Sequence, residues 1–273
     1  MLHRRLARDR QGWAVIVAGP MVIPLHDDNP ARRFPIVTIL LIAVNVFVYF
    51  IVQPHNENDD IVFTYEYAAI PCEVTQGDPL SIGEIQTGDC DDSSAITEVA
   101  EPFPDKNVYL AVIYSMFLHG SLLHLAGNML FLWVFGNNVE DHMTPVGFLL
   151  FYFVVGILAM VAHVIPDVGS TTPVIGASGA IAGVMGAYLV LWPRARILTF
   201  VPLFLFFVVY LPAGLVLALW FGLQFLTNPN SGVAWVAHVG GFAAGVLIAL
   251  ALRGLFGPPR QHAVRGPADY EPD

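Results

Sequence analysis

Charge is what this sequence has least of. Only 12% of its 273 residues are charged, and lysine occurs once, at Lys106. A soluble domain carries about 25% charged residues, so much of this chain's surface must face something other than water. Cysteine is scarce too: two residues are too few for a disulfide scaffold or a structural zinc site. A basic stripe is missing, and a net charge of −10 argues against nucleic acid, which needs one. The alternating pattern of a membrane β-barrel is absent as well. What the chain has in abundance is apolar: 56% of residues are hydrophobic and the mean hydropathy is +0.63. These are the proportions of an integral membrane protein.

A membrane span needs about 20 predominantly apolar residues. Six stretches are candidates: 34–52, 122–139, 146–165, 178–192, 200–226 and 233–252. The fourth is short and rich in glycine and alanine, and is expected to lie buried among its neighbours with one end open to a water-filled cavity. The expected fold is an all-α membrane protein, a bundle of six transmembrane helices. Basic residues in the loops orient it. With both termini cytoplasmic, eleven arginines lie inside and Lys106 alone lies outside; the reverse topology inverts that ratio. Residues 1–33 then form a cytoplasmic N-terminal segment and 34–253 the membrane domain. An acidic outer loop covers about 53–107, and 254–273 form a cytoplasmic tail expected to be disordered. Such a multi-pass chain belongs in a plasma or inner cell membrane.

The outer loop holds thirteen Asp and Glu residues, whose expected role is to solvate it. It also holds Cys72 and Cys90, on the side of the membrane where disulfides persist. They either bridge and close a small subdomain or remain free thiols in a flexible insert. The first 25 residues outline a signal peptide, a basic start followed by an apolar run from Trp13 to Leu25, without a small-residue cleavage site. A true start at Met21 explains them equally well.

Three places put polar groups inside expected spans. They are His119-Gly-Ser-Leu-Leu-His124-Leu-Ala-Gly-Asn128, Gly176-Ala177-Ser178-Gly179 and Ala237-His238-Val-Gly-Gly241. Such groups are costly in hydrocarbon and mark function by default. At about 1.5 Å per residue, Ser178 stands roughly 24 Å above Arg194 and His238 roughly 22 Å above Arg253. His124 stands roughly 24 Å above Glu140, with Asn128 one turn deeper. All four therefore fall just below the outer surface of a core about 30 Å thick, with the expected active site near the outer leaflet. Helix faces agree. His238, Gly241 and Gly245 form one stripe and Gly179, Gly183 and Gly186 another, and small residues let membrane helices approach closely. His124 and Asn128, four apart, share a face.

A hydroxyl, two imidazoles and an amide at one depth suit acyl transfer. A serine needs a base to take its proton, and a neutral histidine supplies one. The oxyanion needs preorganised donors, and the Asn128 amide, the His124 ring and the Ser178 N–H are available. No Asp or Glu lies in any span at this level, so the reading is a Ser–His dyad without a third member. Plainer roles exist for each residue: Ser178 as packing, Asn128 as interhelical glue, His124 and His238 as metal ligands. The Gly-x-Ser-Gly string also lacks the last glycine of the hydrolase elbow, because residue 180 is Ala. The joint occurrence at one depth is what favours the chemistry.

The motifs His124-x-x-x-Asn128, Gly176-Ala-Ser178-Gly179 and Ala237-His238-x-x-Gly241-x-x-x-Gly245 resemble those of rhomboid intramembrane serine proteases of the bacterial six-helix type. The similarity runs from about Asp28 to Leu252, apart from the acidic insert. It implies Ser178 as nucleophile and His238 as general base, with His124 and Asn128 at the oxyanion and His119 structural near the mouth. It further implies cleavage of membrane-anchored proteins at or near their transmembrane segments, with no metal or organic cofactor. The partners are then single-pass or membrane-anchored substrates and the lipid bilayer. Substrates would enter past the fifth helix, here the Phe-rich stretch 200–210. Two features depart from some members: Ala182 stands where a tyrosine would stack on the histidine, and the first outer loop lacks a Trp-Arg pair. The alternative is an inactive relative that binds client membrane proteins. A transporter would carry paired charges or internal repeats at midplane, and neither is present.

Overall fold

With one exception, the apolar stretches of the sequence fold as helices. The computed structural model describes residues 22–29, 31–90, 101–203, 205–226 and 233–256. The signal-like run up to Met21 and the tail 257–273 lie outside the described residues. In chain order the elements are β1 (Ile23–Asp27), α1 (Ile36–Val52, closing in a π-helical turn over Val48–Val52), α2 (Glu57–Tyr67), α3 (Pro71–Gln76) and α4 (Ile82–Thr87). There follow α5 (Val108–Ser115), α6 (Leu122–Met143), α7 (Pro145–Val164) and α8 (Ser178–Leu191). The chain continues with β2 (Arg196–Leu203), β3 (Leu205–Pro212), α9 (Ala213–Gln224) and α10 (Trp235–Phe256). Among the described residues, α7 and α10 are long and apolar enough to cross a membrane, while α1, α8 and α9 are apolar but shorter. Helix α6 has the length, 22 residues, but carries Asn128, Asn137, Asn138, Glu140 and Asp141.

The exception is the expected fifth span, 200–226. Its first half is not helical: β2 and β3 pair as an antiparallel hairpin from Arg196↔Pro212 to Leu203↔Leu205, and β1 joins antiparallel on the other side of β2. An apolar run alone does not separate strand from helix. Here the residues are Val, Phe and Tyr, which suit a pleated surface. Pro202 and Pro212 would each break a helix interior, and Pro212 instead opens α9 as its N-cap. The Phe-rich stretch 200–210 is therefore not the fifth helix, and α9 takes that place.

Helix ends follow local chemistry. Ser121 caps α6 by accepting the His124 N–H at 3.1 Å. Thr144, at φ 71°, ends α6 and caps α7 ahead of Pro145. Helix α1 begins after Pro35, with no side-chain cap of its own. Its orphan N–H groups are met from α6 instead: Glu140 accepts from the Val37 and Thr38 N–H groups at 2.9 and 2.8 Å and from the Thr38 hydroxyl at 2.8 Å.

Helix α8 is the axis of the bundle, buried almost throughout from Ala180 to Tyr188. Its glycines bring it against α7 and α10. A Cβ on Gly245 would overlap the Gly183 carbonyl, and one on Gly186 would overlap that of Phe242. Where α6 and α8 end, Asp27 of β1 accepts from Asn138 Nδ2 at 2.6 Å and from the Tyr188 phenol at 2.8 Å. Burial lifts the Asp27 carboxyl from 3.8 to about 6, against the opposing pull of the Tyr188 hydrogen bond. Between about pH 4 and 6 the folded chain holds a proton that the unfolded chain has released, so stability falls as pH rises through that window. Asp27→Asn is expected to remove this component, worth roughly 2 to 3 kcal/mol, and to be at least as stable as the parent at pH 7.5. Thermal unfolding across pH 4–7 checks it; an unchanged slope in the variant would absolve Asp27.

The acidic insert is a built subdomain around Ile70, Leu80 and the Cys72–Cys90 disulfide. Not all of its acid faces solvent. Glu73 is buried and pairs with Lys106 at 2.5 Å, both side chains 2% exposed. Burial pushes the Glu73 carboxyl up and the Lys106 ammonium down, each opposed by the charge of the other. Lys106 also donates to the Tyr65 carbonyl, and Glu73 accepts from the Leu80 N–H.

Candidate active site

Ser178 stands at the first turn of α8, behind Ala177, which offers no side-chain cap. The leading N–H groups of that helix therefore lack helical partners. The approach to it depends on Gly176. At φ +122° this residue is in a conformation that L side chains rarely adopt, and a Cβ there would press on the His124 ring at 2.8 Å and stand 3.5 Å from Ser178 Oγ. Its N–H is held by the Ser115 carbonyl at 2.8 Å. His124 and Ser178 thus flank one glycine.

His238, on α10, reaches Ser178 across the glycine contact between α8 and α10. Its Nε2 lies 2.8 Å from Ser178 Oγ. The contact is possible because Gly179 and Gly241 sit where the helices cross: a Cβ on Gly241 would overlap the Gly179 carbonyl. The other ring nitrogen, Nδ1, lies 2.8 Å from Gln224 Oε1 at the end of α9. Both ring nitrogens are therefore engaged in hydrogen bonds. Among the described residues no three His, Cys, Asp or Glu side chains gather as a metal site.

Asn128 lies one turn beyond His124 on α6, 8% exposed, and its Nδ2 has no hydrogen-bond partner among the described residues. Among the described residues no hydrogen bond joins it to Ser178. The His119 and His124 rings pack edge to face at 5.0 Å. The His119 backbone is clamped by Gln53, which accepts from its N–H at 2.9 Å and donates to its carbonyl at 3.2 Å. A small, mainly apolar cavity adjoins Ser178, lined by Met116, Gly156, Ala159, Met160, Val174 and Ala237 among others. Cys72 and Cys90 take no part in this constellation.

Two neighbours of His238 are absent from the sequence reading. Gln224 is one. Trp220, whose ring lies 5.8 Å from that of His238, tilted 39°, is the other. It packs on the imidazole where Ala182 cannot. The polar-residue rule that singled out Asn128 applies equally to Gln224, an amide in an apolar helix, which lies near the end of the expected span 200–226.

Comparison with known proteins bears on the family. Residues 106–255 match the Rhomboid domain. The chain is 33% identical over 96 residues to "Rhomboid protein 1, mitochondrial" of Saccharomyces cerevisiae, covering 34% of this chain and 28% of that protein. It is 33% identical over 98 residues to the human "Presenilin-associated rhomboid-like protein, mitochondrial", covering 35% and 26% respectively. With "Rhomboid protease GluP" of Bacillus subtilis the identity is 35% over 137 residues, 50% of this chain and 24% of that protein. The matched stretch spans only about a quarter of the length of each of these relatives. The family is membrane-embedded and includes proteins named as proteases and others named only as rhomboid-like, some of them mitochondrial. By a domain match that covers more than half of its residues, this chain belongs to the rhomboid family.

Proposed function

We propose that the chain is an intramembrane serine endopeptidase that cleaves membrane-anchored proteins at or near their transmembrane segments. The observation that carries the reading is the 2.8 Å approach of His238 Nε2 to Ser178 Oγ at the half-buried start of α8. In this mechanism Ser178 Oγ attacks the scissile carbonyl as His238 Nε2 takes its proton. The oxyanion is held by the Asn128 amide, the Ser178 N–H and the His124 ring. His238 then protonates the leaving amine, and water releases the acyl group by the same route in reverse. No metal or organic cofactor enters. In this reading α1, α6, α7, α8, α9 and α10 all lie across the bilayer of a plasma or inner cell membrane. Both termini are cytoplasmic, the site lies near the outer leaflet, and substrate approaches beside α9. The adjoining cavity favours a small side chain before the scissile bond.

Co-reconstitution of the purified chain with a single-pass substrate tests the reading. Two fragments, with the cut at or near the transmembrane segment, are expected. A substrate that is bound and co-purified yet intact would favour the client-binding relative.

The unpartnered Asn128 amide has a separate consequence. An oxyanion donor acts where charge develops, so Asn128→Ala is expected to lower kcat about 100- to 1,000-fold with little change in KM. If Asn128 only fastens helices, the loss is a membrane hydrogen bond averaging about 0.6 kcal/mol. Single-turnover cleavage and thermal stability of Asn128→Ala separate the two: near-normal cleavage with reduced stability would make the residue structural.

A further inference from the structure

The hydrogen bonds around His238 run in one direction. Gln224 Nε2 lies 3.1 Å from the Trp220 carbonyl, four residues back on α9. A backbone carbonyl only accepts, so the amide nitrogen of Gln224 is turned toward it and Oε1 is turned toward α10. That oxygen, itself only an acceptor, lies 2.8 Å from His238 Nδ1. Nδ1 must therefore carry the proton of the neutral ring. The remaining nitrogen, Nε2, presents its lone pair to Ser178 Oγ at 2.8 Å. The chain of donors runs from Ser178 through His238 to Gln224, and the α9 backbone anchors the far end.

We propose that Gln224 is a positioning residue for the Ser178–His238 pair: its amide oxygen selects the Nδ1–H tautomer of His238, and its amide nitrogen, locked on the Trp220 carbonyl, keeps that oxygen in place. The assignment deepens the protease reading and rests on it for its consequence in turnover. The same bond serves the second half of the reaction. When His238 holds both protons, Gln224 Oε1 accepts from a charged donor, and such bonds are stronger than neutral ones. A carboxylate in this position would be a buried charge before the reaction begins, costly among apolar helices. An amide supplies the acceptor without that cost. Trp220 completes the clamp: its ring packs on the imidazole while its carbonyl orients the amide, so one helical turn of α9 fixes both the plane and the tautomer of the base.

The test is histidine-selective nitrogen-15 NMR on the full chain in nanodiscs, with the His238 signals identified by their loss in His238→Ala. At a pH where the ring is neutral, the wild type is expected to show a protonated Nδ1 and an unprotonated Nε2. Gln224→Met, similar in volume but without an acceptor, should give a mixture of tautomers. Gln224→Glu should retain the wild-type one. In cleavage, Gln224→Met should lower kcat roughly 10- to 100-fold, the range set by a hydrogen bond to a charged group, with KM little changed. Wild-type His238 protonated on Nε2, or an unaltered tautomer in Gln224→Met, would overturn the proposal. The tautomer is read without turnover, so failure of the positioning role shows in the spectrum, whereas failure of the protease reading shows as absent cleavage by the wild type.

Discussion

Ser178→Ala and His238→Ala are each expected to stop proteolysis while the protein still inserts and folds. The two groups act as one unit, hydroxyl and base 2.8 Å apart, so removing either disables the other. In a soluble serine protease such a loss costs roughly a million-fold in turnover. The double variant should then be no worse than either single one, since there is no second contribution left to remove. Ser178→Ala deletes one oxygen at the mouth of α8, and the packing of Gly179, Gly183 and Gly186 against α7 and α10 is untouched. Cleavage assays on variants with wild-type thermal stability check the expectation, and comparable proteolysis by folded Ser178→Ala would sink the assignment.

The second large effect lies far from the dyad. Lys106→Met leaves the Glu73 carboxylate buried within the insert subdomain without its cation. Breaking a buried pair on one side typically costs about 3 to 5 kcal/mol, whereas replacing both partners with apolar groups of similar size is often neutral. Lys106→Met is therefore expected to destabilise the subdomain by that amount, and Glu73→Leu combined with Lys106→Met should recover most of it. Limited proteolysis of the insert together with thermal unfolding reads the difference. A single variant as stable as the parent would mean that water reaches the pair. A seam ties the subdomain to the candidate site: Ala69 bridges Val174 and donates its N–H to Ser115 Oγ, while the Ser115 carbonyl holds Gly176.

Much of the helical frame was legible in the sequence because its helices are long continuous apolar runs. The apolar runs 122–139, 146–165, 178–192 and 233–252 fall on α6, α7, α8 and α10 to within a few residues. Counting residues back from Arg194 and Arg253 put Ser178 and His238 at one expected depth, and their side chains meet. The hairpin β2–β3 was not legible, since hydropathy measures burial rather than backbone shape. Its prolines and aromatic residues were the usable signal. Other features depend on contacts between distant segments, and no local pattern announces them. Glu140 caps a helix about a hundred residues earlier. The only lysine, which the sequence reading used only to count loop charge, lies buried against Glu73. Gln224 and Trp220 could be placed beside His238 only once α9 was known to begin at Ala213.

The central claim is that Ser178 is a nucleophile activated by His238. A fluorophosphonate probe added to the membrane-reconstituted chain measures this without any knowledge of the natural substrate. Phosphonylation requires an activated hydroxyl, and peptide mass spectrometry locates the adduct. The account predicts a single adduct on Ser178, absent in Ser178→Ala and lost in folded His238→Ala. A wild-type chain that stays unlabelled, or one that labels at Ser178 equally well without His238, would contradict it.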